Sequence, residues 1–266
     1  LSFVLGINSE VLVDALAAVL NRRGVADENL EKLLRAWVCH HQGKKVSDGI
    51  LSIFQEISGA GFHYSQEGED IVLARILPPE KIGFFVDVGA HHPLRFSNTY
   101  ALYRQGWRGI NVDATPGSME AFKKIRPDDI NLEAGVSDSA APITFHVFRE
   151  SALNTLSSSL ADLYVQSGYE RVGTVKIVPR TLASILDEYL PQGKSIDLLS
   201  VDVEGAELAV LQSNDWVQYR PQWIILEALA TPFTMVQCHP SIAFLSDKGY
   251  EPVSRLMNSI ILHSKS

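Results

Sequence analysis

Five short apolar runs between residues 84 and 228 constrain the fold of this chain more than any other feature. They read FFVDVG (84–89), GINVDA (109–114), INLEAGV (130–136), IDLLSVDVEG (196–205) and WIILEA (223–228). Each is continuously apolar rather than alternating, as expected of central strands covered on both faces. Helical patterns lie between them, for example at residues 116–124 and 206–213. The expected class is therefore α/β, with a doubly wound parallel sheet. The end of the chain departs from that pattern. GYEPVSRLM (249–257) and NSIILHSK (258–265) stand back to back. No crossover helix fits between them, so they are expected to pair antiparallel.

The first 61 residues read differently. Ser9, Asp27 and Ser47 precede three apolar patterns of helical spacing, and Ser58-Gly59-Ala60-Gly61 breaks the last of them. Two domains are expected: a helical extension over 1–61 and the α/β domain over 62–266. The extension would act as a cap, a lid or a surface for homo-oligomerisation. A net charge of -8 argues against a nucleic-acid partner. The two cysteines, Cys39 and Cys238, are far apart and outside metal-ligand spacing, which suits a reduced, cytoplasmic setting. The start, LSFVLGINSE, lacks the basic segment of a signal peptide. No apolar run approaches the roughly 20 residues of a transmembrane helix.

Four of the apolar runs carry an acid near the C-terminal end: Asp87, Asp113, Asp202 and Glu227. In open α/β sheets, ligands bind at the carboxyl ends of the strands. Asp113 follows Gly89 at about the distance from which an acid meets the hydroxyls of an adenosine ribose. Gly89 lets the backbone approach a ligand. DVGAHHP, however, lacks the later glycines of a dinucleotide loop, and nothing here is shaped to hold a pyrophosphate. That counts against NAD or FAD and suits S-adenosylmethionine, which has adenosine without phosphate. An α/β sheet finished by an antiparallel hairpin is the shape of class I methyltransferases.

Five ordered motifs resemble the FkbM family of methyltransferases: YSQEGEDIVL (64–73), FVDVGAHHP with SNT (85–99), GWRGINVDATPGSMEAF (106–122), INLEAGVSD (130–138) and LLSVDVEGAELAVLQS (198–213). The resemblance covers residues 63–265. It implies a Rossmann-like, seven-stranded class I fold and O-methylation, often of sugar or polyketide hydroxyls, with S-adenosylmethionine as cofactor. Laid on this chain, it puts Asp87, Gly89 and Ala90 in the cofactor loop and Asp113 at the ribose, with Ala114 beside the adenine. Ser137 and Asp138 would read the adenine edge. Gln66, Glu69 and Asp70 match an entrance motif that closes over the cofactor. Many family members have Asn-x-Gly where this chain has His91-His92-Pro93; a subgroup with HHP and SNT matches better. His91 and Asn98 would then lie beside the cofactor.

Methyl transfer to a hydroxyl needs alignment and a way to remove a proton. Two solutions are open. His92 lies just past the strand end where the methyl group would point, and histidine is a natural base near neutral pH. Asp202, Glu204 and Glu207 straddle a strand-to-helix turn and can converge on one point. They would act as base, grip acceptor hydroxyls or, with Asp202 and Glu227, hold Mg2+, as in catechol-type O-methyltransferases. A histidine zinc site is not expected, because His91 and His92 are neighbours without further ligands at suitable spacing. Asn154, Tyr164 and Tyr169, between the third and fourth runs, are candidates for the acceptor wall. The expected acceptor is a sugar of a glycan, lipopolysaccharide or glycosylated metabolite. A non-sugar small molecule, a nucleotide-dependent oxidoreductase and a non-catalytic scaffold are the alternatives.

Overall fold

The computed structural model describes residues 63–229 and 231–265. The expectations placed on residues 1–61 lie outside the described residues. Among those described, seven strands form one sheet in the order β3-β2-β1-β6-β7-β9-β8. Strands β1 (Phe84–Val88), β2 (Arg108–Asp113), β3 (Ile130–Glu133), β6 (Leu198–Val201) and β7 (Trp223–Glu227) run parallel. β8 (Tyr250–Arg255) and β9 (Ser259–Ser264) form the antiparallel hairpin, with β9 placed against β7. This is the class I methyltransferase sheet. The chain winds outward from β1 to β3, then returns to the other side of β1 as β6. The switch point of the sheet therefore lies between β1 and β6.

Both faces are covered, which is why the runs are continuously apolar. On one face Val86, Val88, Ile110, Val112, Leu199, Val201, Ile224 and Leu226 pack on α5 (Leu182–Tyr189), α6 (Glu207–Gln212) and α7 (Pro240–Asp247). On the other, Phe85, Leu198, Ile225 and Ile261 pack on Leu73 and Leu77 of the α1 (Glu69–Ile76) segment and on Leu102 of α2 (Tyr100–Arg104).

The second face also carries a row of polar side chains that the apolar reading of the runs did not anticipate. Asn131, Asn111, Asp87 and Ser200 are register partners across β3, β2, β1 and β6. Acids within buried strands are costly unless they are paired, and here each has partners. Asp87 accepts from Thr99 Oγ1 at 2.6 Å, and Asn98 Nδ2 donates to Ser200 Oγ at 3.1 Å. Arg126, just past α3 (Met119–Ile125), is fully buried; its Nε donates to Asp129 at 2.8 Å and its Nη1 to Thr99 Oγ1 at 3.0 Å.

The segment between β3 and α5, where the acceptor-wall candidates fall, holds two strands and a helix. β4 (Ile143–Phe148) and β5 (Arg171–Ile177) pair antiparallel as a separate two-stranded arm, with α4 (Ser158–Gln166) between them. The Ser157 side chain caps α4 by accepting from the Leu160 N–H.

Candidate active site

A cleft of about 720 Å³, including its open mouth, lies across the carboxyl ends of β1, β2 and β6. Gly89 forms its floor. After Val88 the chain turns through φ 82° at Gly89, and the Gly89 and Ala90 N–H groups donate to the Val112 carbonyl at 2.9 and 3.1 Å. On the other side the Asp202 N–H donates to the Val88 carbonyl at 3.0 Å. The end of β1 is thus clasped between its two neighbours.

Asp113 terminates β2 and joins two loops. Its carboxylate accepts from the His91 N–H at 2.8 Å and from the Thr115 N–H at 2.7 Å. Its neighbours Ala114, Ala134, Gly135, Val136 and Phe145 give the cleft an apolar end. Asn154 is spent on structure: its amide bridges the Phe148 N–H (2.8 Å) and Thr115 Oγ1 (3.0 Å). At the mouth, Arg95 makes paired 3.2 Å bonds to Glu150, which link the loop after β1 to the loop after β4.

The other end of the cleft is acidic. Asp202 and Glu204 line it, and Glu227 stands behind them at the end of β7. One carboxylate oxygen from each of the three lies within 4.8 Å of the others. Burial pushes the Asp202 and Glu227 carboxyls well up; repulsion from Glu204 and Glu207 raises Asp202 further, and repulsion from Asp202, Glu204 and Glu207 raises Glu227. Burial also pushes Glu204 up to about 7, against a hydrogen bond from Tyr164 that favours its ionised form. The Tyr164 hydroxyl donates to Glu204 Oε2, and its ring meets Phe148 and Tyr169 edge-on.

Among the described residues, no lysine or arginine lines this cleft. The described non-glycine residues with positive φ are His91 (53°), Phe96 (58°) and Glu204 (53°), and all three line it. Such backbone costs about 1–3 kcal/mol per residue and concentrates at functional sites.

The structure brings together Gln66, Gly89, His91, Asp113, Ala114, Asp202 and Glu204 around the cleft. It places other expected residues elsewhere. The Asp70 carboxylate closes a local turn by accepting from the Tyr64 N–H and Ser65 Oγ, both at 2.7 Å. Glu69 accepts from Ser259 Oγ at 2.5 Å and ties α1 to β9. Asp87 and Asn98 belong to the buried polar row, and Ala90 packs on Met119 and Phe122. Ser137 is buried with its hydroxyl on Asp138, whose side chain is exposed. Glu207 folds back on its own helix and accepts from the Gly205 N–H at 2.8 Å, as an acid in a first helical turn readily does.

His92 receives a different part from the one its position suggested. Its Nδ1 accepts from the Leu94 and Arg95 N–H groups at 3.1 and 3.0 Å, so the ring closes the loop instead of facing the cleft. The proton must then sit on Nε2, and burial lowers the pKa of the ring. Phe96, Thr115, Gly135 and Leu156 line the cleft without having been singled out. Thr115 had a readable signal, as the second residue after the strand-ending Asp113 in a Thr-Pro-Gly turn.

Residues 87–252 match the family described as the methyltransferase FkbM domain. Over 84 residues the chain is 36% identical to methyltransferase sdnD of Sordaria araneosa; the match covers 29% of this chain and 31% of that protein's length. Among solved structures, methyltransferase FkbM from Methylobacillus flagellatus aligns with a TM-score of 0.44 and 12% identity, covering 90% of this chain and 55% of the other. Fibrillarin from Aeropyrum pernix, solved with natively bound S-adenosyl-L-methionine, aligns with a TM-score of 0.39 and 12% identity, covering 74% and 73%. With the family match running from the end of β1 into β8, the chain belongs to the FkbM methyltransferase family.

Proposed function

We propose that the chain is an S-adenosylmethionine-dependent O-methyltransferase acting on a hydroxyl of a sugar. The cleft carries this reading: it is apolar at one end, has Asp113 at the end of β2, is acidic at the other end and, among the described residues, is lined by no lysine or arginine. Such a lining suits adenosine at the apolar end, a ribose on Asp113, and a cofactor whose sulfonium and ammonium are cationic. It disfavours a pyrophosphate, which would want basic or helix-terminal donors.

When bound, S-adenosylmethionine supplies a methyl carbon on a cationic sulfur. In-line displacement forms the O–CH3 bond and breaks the C–S bond, whose electron pair stays on sulfur. The hydroxyl proton leaves toward Glu204, whose carboxyl, pushed up to about 7, can be ionised and take it near neutral pH. The carboxyl oxygens of Asp202, Glu204 and Glu227 accept hydrogen bonds from adjacent hydroxyls and so orient a polyhydroxylated acceptor. Tyr164 steadies Glu204 from the outer side.

Titration calorimetry on the full chain tests the cofactor. S-adenosylmethionine or its demethylated product should bind, NAD(H) should give no heat, and Asp113→Ala should weaken binding by about tenfold or more, the loss of one or two charge-assisted bonds at roughly 1.5–3 kcal/mol each. Binding of NAD(H) instead would remove the reading.

His92 gives a second test. Asn at position 92 can close the same loop with its side-chain oxygen. His92→Asn should keep turnover within about tenfold, short of the roughly 10²–10⁴-fold cost of losing a general base. In NMR titrations the native ring should stay neutral below the ordinary histidine pKa. The unfolded chain binds that proton more readily, so stability contributed by the loop is full above about pH 6.5 and declines as pH falls below it.

A further inference from the structure

The proposed reaction leaves a physical problem at the acidic end of the cleft. Three carboxyl groups each place an oxygen within 4.8 Å of the others, and ionising all of them there without a cation is costly. Glu227 is only 9% exposed, and its Oε2 has no hydrogen-bond partner. A buried carboxylate oxygen is normally satisfied, and among the described residues no lysine or arginine lines the cleft beside Asp202 and Glu204.

We infer that Asp202, Glu204 and Glu227 form a divalent-cation site, taking Mg2+ or Mn2+ through one oxygen each. The donor set is all carboxylate, which suits these hard ions and not zinc or copper. Ligand oxygens about 2.1 Å from one ion stand roughly 3 Å apart when adjacent and 4.2 Å when opposite. The observed ceiling of 4.8 Å needs only a small inward movement to meet that. Three protein ligands leave positions for water and for the acceptor. The three come from different places: Asp202 and Glu204 from the turn after β6, and Glu227 from the end of β7. Tyr164 and the 2.6 Å bond from Thr155 Oγ1 to the Glu204 carbonyl hold the left-handed Glu204 in place. A cation here would offset the repulsion, fill the unmet valence of Glu227 and make a coordinated hydroxyl more acidic. The site itself does not depend on the methyl-transfer reading, but its part in turnover rests on it.

The test uses metal-stripped full-length protein and Mn2+ alone, followed by the loss of its free electron-paramagnetic-resonance signal, with Mg2+ as competitor. One Mn2+ per chain should bind, Mg2+ should displace it, and Glu227→Gln and Glu204→Gln should each weaken binding at least tenfold. Circular dichroism and a melting curve of each variant report that the sheet is intact. Absence of Mn2+ binding at millimolar concentration overturns the inference, as does equal affinity in wild type and both variants. If S-adenosylmethionine binds while Mn2+ does not, the metal falls and the methyl-transfer reading stands. If Mn2+ binds as expected but the cofactor does not, the cation site stands and the methyl-transfer reading falls.

Discussion

Gly89→Ala should leave no stably folded α/β domain, or one destabilised by more than about 4 kcal/mol. A Cβ at this position would lie 1.6 Å from the Asp202 carbonyl oxygen and 2.6 Å from its carbonyl carbon. Both atoms are backbone, so no side chain can rotate away. The φ of 82° adds the strain of a left-handed L-residue, roughly 1–2 kcal/mol. Relief requires the ends of β1 and β6 to part, and that seam is where the switch point of the sheet and the candidate site coincide. Chemical denaturation with circular dichroism would show it. A variant that folds with near-native stability would mean that the β1–β6 seam is looser than the structure has it.

Asp202→Asn should separate activity from stability. Turnover should fall by about 10²–10⁴-fold, equivalent to roughly 2.7–5.5 kcal/mol in the barrier. Thermal stability should hold or rise, because one of three crowded carboxylates is neutralised at nearly constant shape. Methyl transfer from labelled cofactor and a melting curve on the same sample measure the two effects. Full turnover would take Asp202 out of the chemistry. A parallel loss of both would make it a structural acid.

Strand-end positions were readable because they follow from period and punctuation. Asp113 and Glu227 end apolar runs, and Asp202 follows one; the structure puts them at the ends of β2, β7 and β6. The C-terminal hairpin was readable for a similar reason: three residues separate β8 from β9, too few for any crossover. The β4–β5 arm was missed because β5 is nearly all exposed and carries no burial pattern, and because neither strand joins the main sheet.

Side-chain roles were less readable, because a role depends on which face or loop turn a residue occupies. Asp87 and Asp113 both look like strand acids, yet Asp87 points into the buried row with Thr99 while Asp113 reaches the cleft. His92 was a candidate base by position, but two backbone N–H groups needed an acceptor and its Nδ1 supplied one. Glu69, Asp70 and Glu207 were likewise taken up by local turns, helix ends and a distant strand.

The sequence by itself determined the strands of the sheet and the strand ends at which a ligand can bind, because burial on two faces demands continuous apolar runs and a glycine suits a strand end where neighbouring backbones close together. Tertiary structure alone decided which acids face one another. The Asp202, Glu204 and Glu227 group forms because β6 and β7 are neighbours and Glu204 adopts a left-handed turn held by Tyr164 and Thr155. Long-range adjacency and a strained backbone angle leave no local signature in composition or spacing, and the chemistry of the site depends on both.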